Sequence, residues 1–143
     1  MSSVKIWLGL IQMARQFKFR IWHKKEKRWL DPWAEEDPIL SLKDFGKGCE
    51  VYLYDRKTQD HSNVNCQMDD VIIQQYTGVK DKNGVEIYEG DLILSYHWNS
   101  KELLVVNWDD DSCMFYACLP SGGDIIRMDE AEKTVIGNIF EGV

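Results

Sequence analysis

Cysteine and histidine are the side chains in this sequence most able to bind a metal. Zinc knuckles pair their ligands at close spacing. The nearest pairs here, His61 with Cys66 and Cys113 with Cys118, have four residues between them and are too wide for a knuckle. In a strand, Cys113 and Cys118 would point to opposite faces, because side chains alternate. We therefore expect no metal and no cofactor, and we interpret the cysteines as small buried apolar residues.

Carboxylates and hydroxyls offer no better catalytic arrangement. Asp109, Asp110 and Asp111 are adjacent, so their carboxylates do not converge on one cation, and a solvated hairpin turn is the better interpretation. Nucleophile signatures of the G-x-S-x-G type are absent, and Ser121-Gly122-Gly123 is typical of a turn. The glycines of "GVKDKNG" fit neither a P-loop nor a dinucleotide fingerprint. The sequence favours a protein that is not an enzyme.

A basic segment rich in aromatic residues is the strongest candidate site. From Arg15 to Arg28 the chain holds seven Lys or Arg and one Glu, a local charge of +6 within a net charge of −7. Aromatic side chains can stack on bases while cations follow phosphates. The segment Arg15–Trp29 is therefore a candidate surface for nucleic acid or a protein partner, and the residues proposed to form it are Lys18, Arg20, Trp22, Lys24, Lys25, Arg28 and Trp29.

The same residues have a simpler explanation. In "QFKFRIW", Phe17, Phe19 and Ile21 alternate with polar or charged neighbours, which is typical of a strand with one buried face. That alternation predicts an inward aromatic face and leaves only Trp22 and Trp29 for a ligand. Binding of nucleic acid is therefore the weaker alternative.

The elements that must position these residues are mostly strands. "HKKEK" forms a polar turn and "RWL" returns as the partner strand. Asp37 before Pro38 is typical of a helix N-cap, which predicts two helical turns ending at Gly46, although a strand through Ile39 to Leu42 competes. Arg56 to Asp69 is polar and aperiodic, which indicates a long surface loop.

From Val71 onward, short strands recur about every ten residues. "VIIQQYTG" ends at Gly78, and Asn83-Gly84 supplies the positive φ angles of a tight hairpin that brings Val79 opposite Ile87. The sequence predicts a mainly β fold with a minor α component. An SH3-like, partly open β-barrel forms the C-terminal half, and an N-terminal β-hairpin and irregular loop region pack against it.

Three stretches together resemble one protein family. "FKFRIW" (17–22), "QQYTGVKDKNGVEIYEGDLI" (74–93) and "VIGNIF" (135–140) are similar to the YopX family, small proteins of bacteriophages and prophages whose function is generally unassigned. The resemblance covers residues 15–140, with a variable part from 31 to 68. It implies a mainly β fold with a barrel-like C-terminal half, and it carries no catalytic residues. The residues that we assign to the central structural motif are Tyr76, Gly78, Asn83, Gly84, Gly90 and Asp91.

The resemblance also suggests where the domain lies. Family members begin shortly before "KFR", so residues 1–12 are either an N-terminal extension or the product of a start assigned upstream of Met13. Residues 13–143 then form a single YopX-like domain, divided into a hairpin and variable region (13–70) and a barrel (71–143). The family pattern often continues beyond "VIGNIF" further than Val143, which suggests a shortened C-terminus.

Composition narrows the class of partner. A net charge of −7 argues against general binding of nucleic acid or anionic membranes, while the −13 outside the basic segment suits a basic partner. The apolar run Ile6–Ile11 is too short to span a bilayer, so no membrane association is expected. We expect a cytoplasmic accessory protein that binds an unidentified host or phage protein, or forms a homo-oligomer through exposed strand edges.

Overall fold

The computed structural model describes residues 16–31, 33–34, 37–44, 49–54, 57, 59, 68–97, 100–129 and 132–142. The N-terminal extension, the alternative start at Met13 and most of the loop expected from Arg56 to Asp69 lie outside these residues. The chain divides into two compact units. We call Met1–Lys18 with Gln75–Val143 the sheet unit, and Phe19–Gln74 the hairpin unit.

Eleven strands and one short 3-10 helix make up the described elements, and no α-helix occurs among them. Those that begin in the hairpin unit are β1 Phe19–His23, β2 Arg28–Trp29, β3 Ile39–Asp44, β4 Cys49–Tyr54, the 3-10 helix Met68–Asp70 and β5 Val71–Lys80, which continues into the sheet unit. The remaining strands are β6 Glu86–Tyr88, β7 Asp91–His97, β8 Ser100–Asp109, β9 Met114–Cys118, β10 Ile126–Arg127 and β11 Glu132–Asn138.

The sheet unit contains a five-stranded antiparallel sheet in the order β10-β9-β8-β7-β11. This sheet is curled into a half-barrel. Because strand residues alternate between faces, one face collects a core into which Ile87 of β6 also packs. The prediction of a mainly β fold with a barrel-like C-terminal half is confirmed. The buried members of this core are Ile87, Ile93, Leu104, Val106, Phe115, Ala117, Ile126 and Met128.

The hairpin unit has a smaller core of its own. Its strands are ordered β2-β1-β5, while β3 pairs with β4 from Ile39↔Tyr54 to Asp44↔Cys49. The prediction of a hairpin around a polar turn is confirmed, with β1 and β2 joined by the turn 24–27. The buried apolar cluster consists of Ile21, Leu30, Leu53 and Val71.

Two sequence predictions in the hairpin unit were wrong. The helix expected after Asp37 is the strand β3, because pairing with β4 satisfies its backbone hydrogen bonds. Asp37 is not an N-cap, and its carboxylate accepts hydrogen bonds from Arg28 and from the backbone N–H of Asp31. The expected alternation of β1 also fails, since Phe19 is 46% exposed while Trp22 is only 6% exposed.

The central hairpin differs from the prediction in detail. Strand β5 continues past Gly78 to Lys80. The Asp81 N–H donates to the carbonyl of Val85 at 2.8 Å, and the Gly84 N–H donates to the carbonyl of Asp81 at 3.0 Å. Only Gly84 of the Asn83-Gly84 pair has a positive φ, at 83°. These contacts define a three-residue loop with a bulge at Gly84 instead of a two-residue turn.

Candidate partner-binding surface

The tip of the basic hairpin is shaped by its own backbone. The N–H of Lys27 donates to the carbonyl of His23 at 2.9 Å, and Lys27 itself has a φ of 51°. His23 is buried, and its Nδ1 accepts the backbone N–H of Glu26 at 3.2 Å. This arrangement closes the turn and directs the side chains of residues 24–27 into solvent.

The guanidinium of Arg28 is already bound by two carboxylates of the hairpin unit. Its Nη1 and Nη2 donate to the two carboxylate oxygens of Asp37 at 2.8 and 2.7 Å, and its Nε donates to Glu26 at 2.6 Å. Asp37 is only 5% exposed. The hydrogen bonds from Arg28 hold the pKa of Asp37 below its ordinary value, against the burial that would raise it. The forked guanidinium therefore serves as an internal clamp.

The other cations of the hairpin unit are also largely engaged within the unit. Lys25 Nζ lies 2.6 Å from Asp70 Oδ1. Arg20 Nε donates to the buried Gln74 at 2.9 Å, and its guanidinium carbon lies 4.4 Å from the centre of the Trp29 ring. These contacts engage part of the hydrogen-bonding capacity of both side chains within the unit.

Both tryptophans of the predicted surface pack within the hairpin. Trp22 and Trp29 are opposite each other in the β1–β2 ladder, with ring centroids 5.0 Å apart in an edge-on arrangement. Trp22 is buried and Trp29 is half-buried. Trp22 is therefore not available for stacking on a base, while Trp29 is partly covered by Arg20 and Trp22.

Three lysines of the basic segment fall into two groups. Lys18 belongs to the sheet unit, where its Nζ pairs with Glu86 and lies 5.5 Å from the centre of the Tyr76 ring. Lys24 and Lys27 are exposed at the hairpin tip, and no carboxylate among the described residues pairs with either. Lys24 and Lys27 are thus the least engaged cations of the basic segment among the described residues.

Exposed aromatic side chains are the feature that sequence reasoning missed. Trp33 is 85% exposed in the segment after β2, where its N–H donates to Asp31 Oδ1 at 2.8 Å. Phe19, which was expected on the inward face, is 46% exposed. A signal for Trp33 was present, because it lies in the aperiodic, acidic stretch "DPWAEED" where no alternation could bury it.

The central motif has an architectural role around Asp81. Its Oδ1 accepts the N–H groups of Asn83 at 2.8 Å and Val85 at 2.9 Å, and its Oδ2 accepts that of Val135 at 3.0 Å. Burial raises the pKa of this carboxyl, but the three N–H donors outweigh burial and hold the pKa below its ordinary value. One carboxylate therefore fixes the hairpin loop and joins it to β11.

A second buried carboxylate makes a matching connection. Asp91 is 1% exposed, and it accepts the N–H of Tyr88 at 2.8 Å and the side-chain amide of Asn138 at 3.1 Å. Asp81 and Asp91 thus tie the stretch 74–93 to the stretch 135–140. Within the motif, Tyr76 is buried and lies 5.5 Å from Tyr88, and three glycines have positive φ, at Gly78 (86°), Gly84 (83°) and Gly90 (78°).

The remaining candidates for chemistry do not converge. Cys113 is exposed in the β8–β9 turn with a φ of 51°, so its reading as a buried apolar residue was wrong, while Cys118 is half-buried. In the same turn Asp109 accepts hydrogen bonds from Ser112 Oγ and the Asp111 N–H. No group of three potential metal ligands occurs within the part of the chain that the structure describes.

No helix within the described ranges is long and apolar enough to cross a bilayer. The fold and the surface together define a small, mainly β protein with a half-barrel sheet and a basic hairpin, in which Lys25 and Arg28 are paired with carboxylates. This chain belongs to the YopX family, because a family model described as YopX protein matches residues 18–142. The family resemblance of the three sequence stretches is therefore confirmed.

Two solved structures share this fold. Protein EF1440 from Enterococcus faecalis is 23% identical, covers 90% of this chain and 96% of its own, and gives a TM-score of 0.52. Protein yopX from Bacillus subtilis is 16% identical, with 89% of this chain and 94% of its own covered and a TM-score of 0.52. No curated protein matches the chain. At these identities the likeness establishes the fold alone.

Proposed function

We propose that this chain is a phage- or prophage-encoded accessory protein of the bacterial cytoplasm that binds another protein and catalyses no reaction. The exposure of Trp33 and Phe19, on a unit in which Lys25 and Arg28 pair with carboxylates of that unit, carries this proposal. Tryptophan is enriched among the few residues that supply most of the energy of protein interfaces. Trp33 is 85% exposed in the free chain, so a partner that covered it would remove a large apolar surface from water and gain binding energy.

The test compares capture from host lysate by the tagged chain and by variants, with and without nuclease. Trp33→Ala and Phe19→Ser should each lower the affinity for a discrete, nuclease-resistant protein, by about 30-fold if the residue is a hot spot of ~2 kcal/mol. The control is Ile125→Ala, which removes a 58% exposed side chain from the sheet unit. Equal capture by all four chains would exclude this surface.

Binding of nucleic acid is the second candidate, favoured by the two exposed tip lysines, Lys24 and Lys27. Two cations can neutralise about two phosphates, so the logarithm of affinity should fall with that of salt at a slope of roughly −1.4 to −1.8. Lys24→Glu with Lys27→Glu should abolish such binding and leave capture of a protein partner intact. A nuclease-sensitive complex whose affinity falls with salt at about this slope would favour nucleic-acid binding over the protein partner.

A further inference from the structure

The five-stranded sheet has a second face, opposite its core. Ile93, Leu104 and Val106 point into the core of the sheet unit. Because strand side chains alternate, the residues between them lie on the outer face. The central apolar members of this face, on β7, β8 and β9, are Leu92, Leu94, Leu103, Val105, Met114 and Tyr116.

The composition of this outer face is unusual for an antiparallel sheet. Such sheets commonly bury one face and turn polar residues to water on the other, whereas sheets covered on both sides are apolar on both. Here the second face is also apolar, yet each of the six side chains is half-exposed and none is buried. Within the part of the chain that the structure describes, this second apolar face is therefore left partly open to solvent.

The charges on the outer face are balanced. Lys101 lies at one end of the outward row of β8 and Asp109 at the other, with Val105 midway between them. Among the described residues, the other charges on or beside this face form two pairs. Lys82 and Glu132 pair at 3.2 Å next to Tyr96. Arg127 of β10, opposite Tyr116, pairs with Asp129 at 3.2 Å. The face is thus neutral within a chain of net charge −7, so like-charge repulsion does not oppose contact between copies there.

We propose that the outer face is a self-association surface, and that its occupant is the same face of a second copy of this chain. A two-fold axis through Val105, perpendicular to β8 and parallel to the sheet, reverses the strand direction between the copies. It places Lys101 of each chain against Asp109 of the other and Val105 against its own copy. Isologous contacts need such self-complementarity, and stacked sheets pack in this manner.

The size of the face fits a reversible dimer. The five strands hold 31 residues, which at about 3.4 Å per residue and 4.8 Å between strands give roughly 500 Å² per copy. This is below the ~600 Å² per partner at the low end of standard interfaces, as expected for a weak, reversible contact. This surface lies in the sheet unit and is independent of the proposed partner surface in the hairpin unit. Trp33→Ala should therefore leave self-association unchanged.

Sedimentation equilibrium of the full chain tests the proposal through a charge swap. Wild-type chain should dimerise reversibly, and Lys101→Glu or Asp109→Lys alone should weaken dimerisation about tenfold, because each creates two like-charge contacts per dimer. The double variant should regain wild-type affinity. Lys24→Glu, which changes an exposed lysine in the hairpin unit, is the matched control and should have no effect.

A second variant tests the apolar centre of the face. Val105 is half-exposed, so Val105→Lys can keep its ammonium in water in the free chain, and circular dichroism checks that the variant folds. The folded variant should be monomeric at concentrations where the wild type is dimeric. A monomeric wild type at several hundred micromolar, a dimer indifferent to Val105→Lys, or a double swap that fails to restore affinity would each overturn the proposal.

Discussion

At the scale of single residues, substitutions of Gly84 measure the cost of backbone strain without a contribution from side-chain clashes. Its φ is 83°, and a Cβ added there would meet no atom within 4 Å. Gly84→Ala should therefore lower the free energy of unfolding by about 1–2 kcal/mol through conformation alone. Gly84→Asn should cost less, because asparagine tolerates the left-handed region. Chemical denaturation checks the order, and an asparagine variant no more stable than the alanine variant would contradict it.

Asp81 provides a residue-scale prediction about pH. Its pKa is lowered in the folded state, so its contribution to stability is present above the unfolded value of about 3.9 and is lost as pH falls through the folded pKa. Asp81→Asn should cost about 1–3 kcal/mol near neutral pH, since the amide nitrogen cannot accept a buried N–H. Unfolding free energies measured from pH 7 to pH 2 should show a smaller acid loss in this variant.

The exposed Asp124 offers the matched control for that measurement. Asp124→Asn should leave both the unfolding free energy and its pH profile close to wild type, because surface substitutions away from special contacts have small effects. An equal loss in the two variants would mean that the buried N–H donors around Asp81 are not the cause.

The same carboxylates show which residue roles a sequence can reveal. The role of Gly84 can be predicted from its neighbours in the sequence, because a short polar turn that needs a positive φ is a local feature. The bond from Val135 to Asp81 spans 54 positions, and that from Asn138 to Asp91 spans 47. Nothing in the local pattern indicates such a partner, so Asp91 was assigned to the structural motif without its buried connection to Asn138.

At the scale of elements, the Arg28–Asp37 clamp joins β2 to the segment leading into β3. Arg28→Lys keeps the charge but replaces a two-pronged contact with a single one, so it should cost about 1–2 kcal/mol. Hydrogen exchange gives a local measure, because the Asp31 N–H donates to Asp37 at 2.7 Å and should exchange faster in the variant. Lys24→Arg, a conservative change at the exposed tip, should leave that exchange rate unaltered.

The type of an element was predictable where the sequence pattern matched only one structure. The prediction was wrong where pairing with another strand decided between helix and strand. The strands after Val71 follow alternation and turn residues, and they form as predicted. The stretch from Ile39 satisfies both helix and strand signals, and pairing with β4 selects the strand. β1 misleads for another reason, because Ile21 and Trp22 are both buried and the strand has no single solvent face.

At the scale of the whole molecule, the charge of a sequence segment was a poor guide to its binding surface, because the fold decides which charges pair. The local +6 of the segment suggested an anion-binding surface, yet three of its six described cations are matched by Glu26, Asp37, Asp70 and Glu86. The partner carboxylates were visible in the sequence, but their pairing depends on the tertiary fold. The SH3-like description of the barrel stays a prediction, while the half-barrel sheet is observed. The alternation of side chains also leaves the outer face of that sheet apolar, and this face is the proposed contact between two copies of the chain.

A dimer formed through that face would link stability to concentration. If only the folded chain dimerises, dimerisation stabilises the folded state by mass action. A tenfold rise in protein concentration should then add about 1.4 kcal/mol per dimer to the free energy of unfolding. Denaturation midpoints measured by circular dichroism should rise with wild-type concentration and stay constant for Val105→Lys. Because salt screens the two proposed Lys101–Asp109 contacts, the dependence should become modestly weaker between 50 and 300 mM salt. A midpoint that rises equally in both chains would place the contact elsewhere on the molecule.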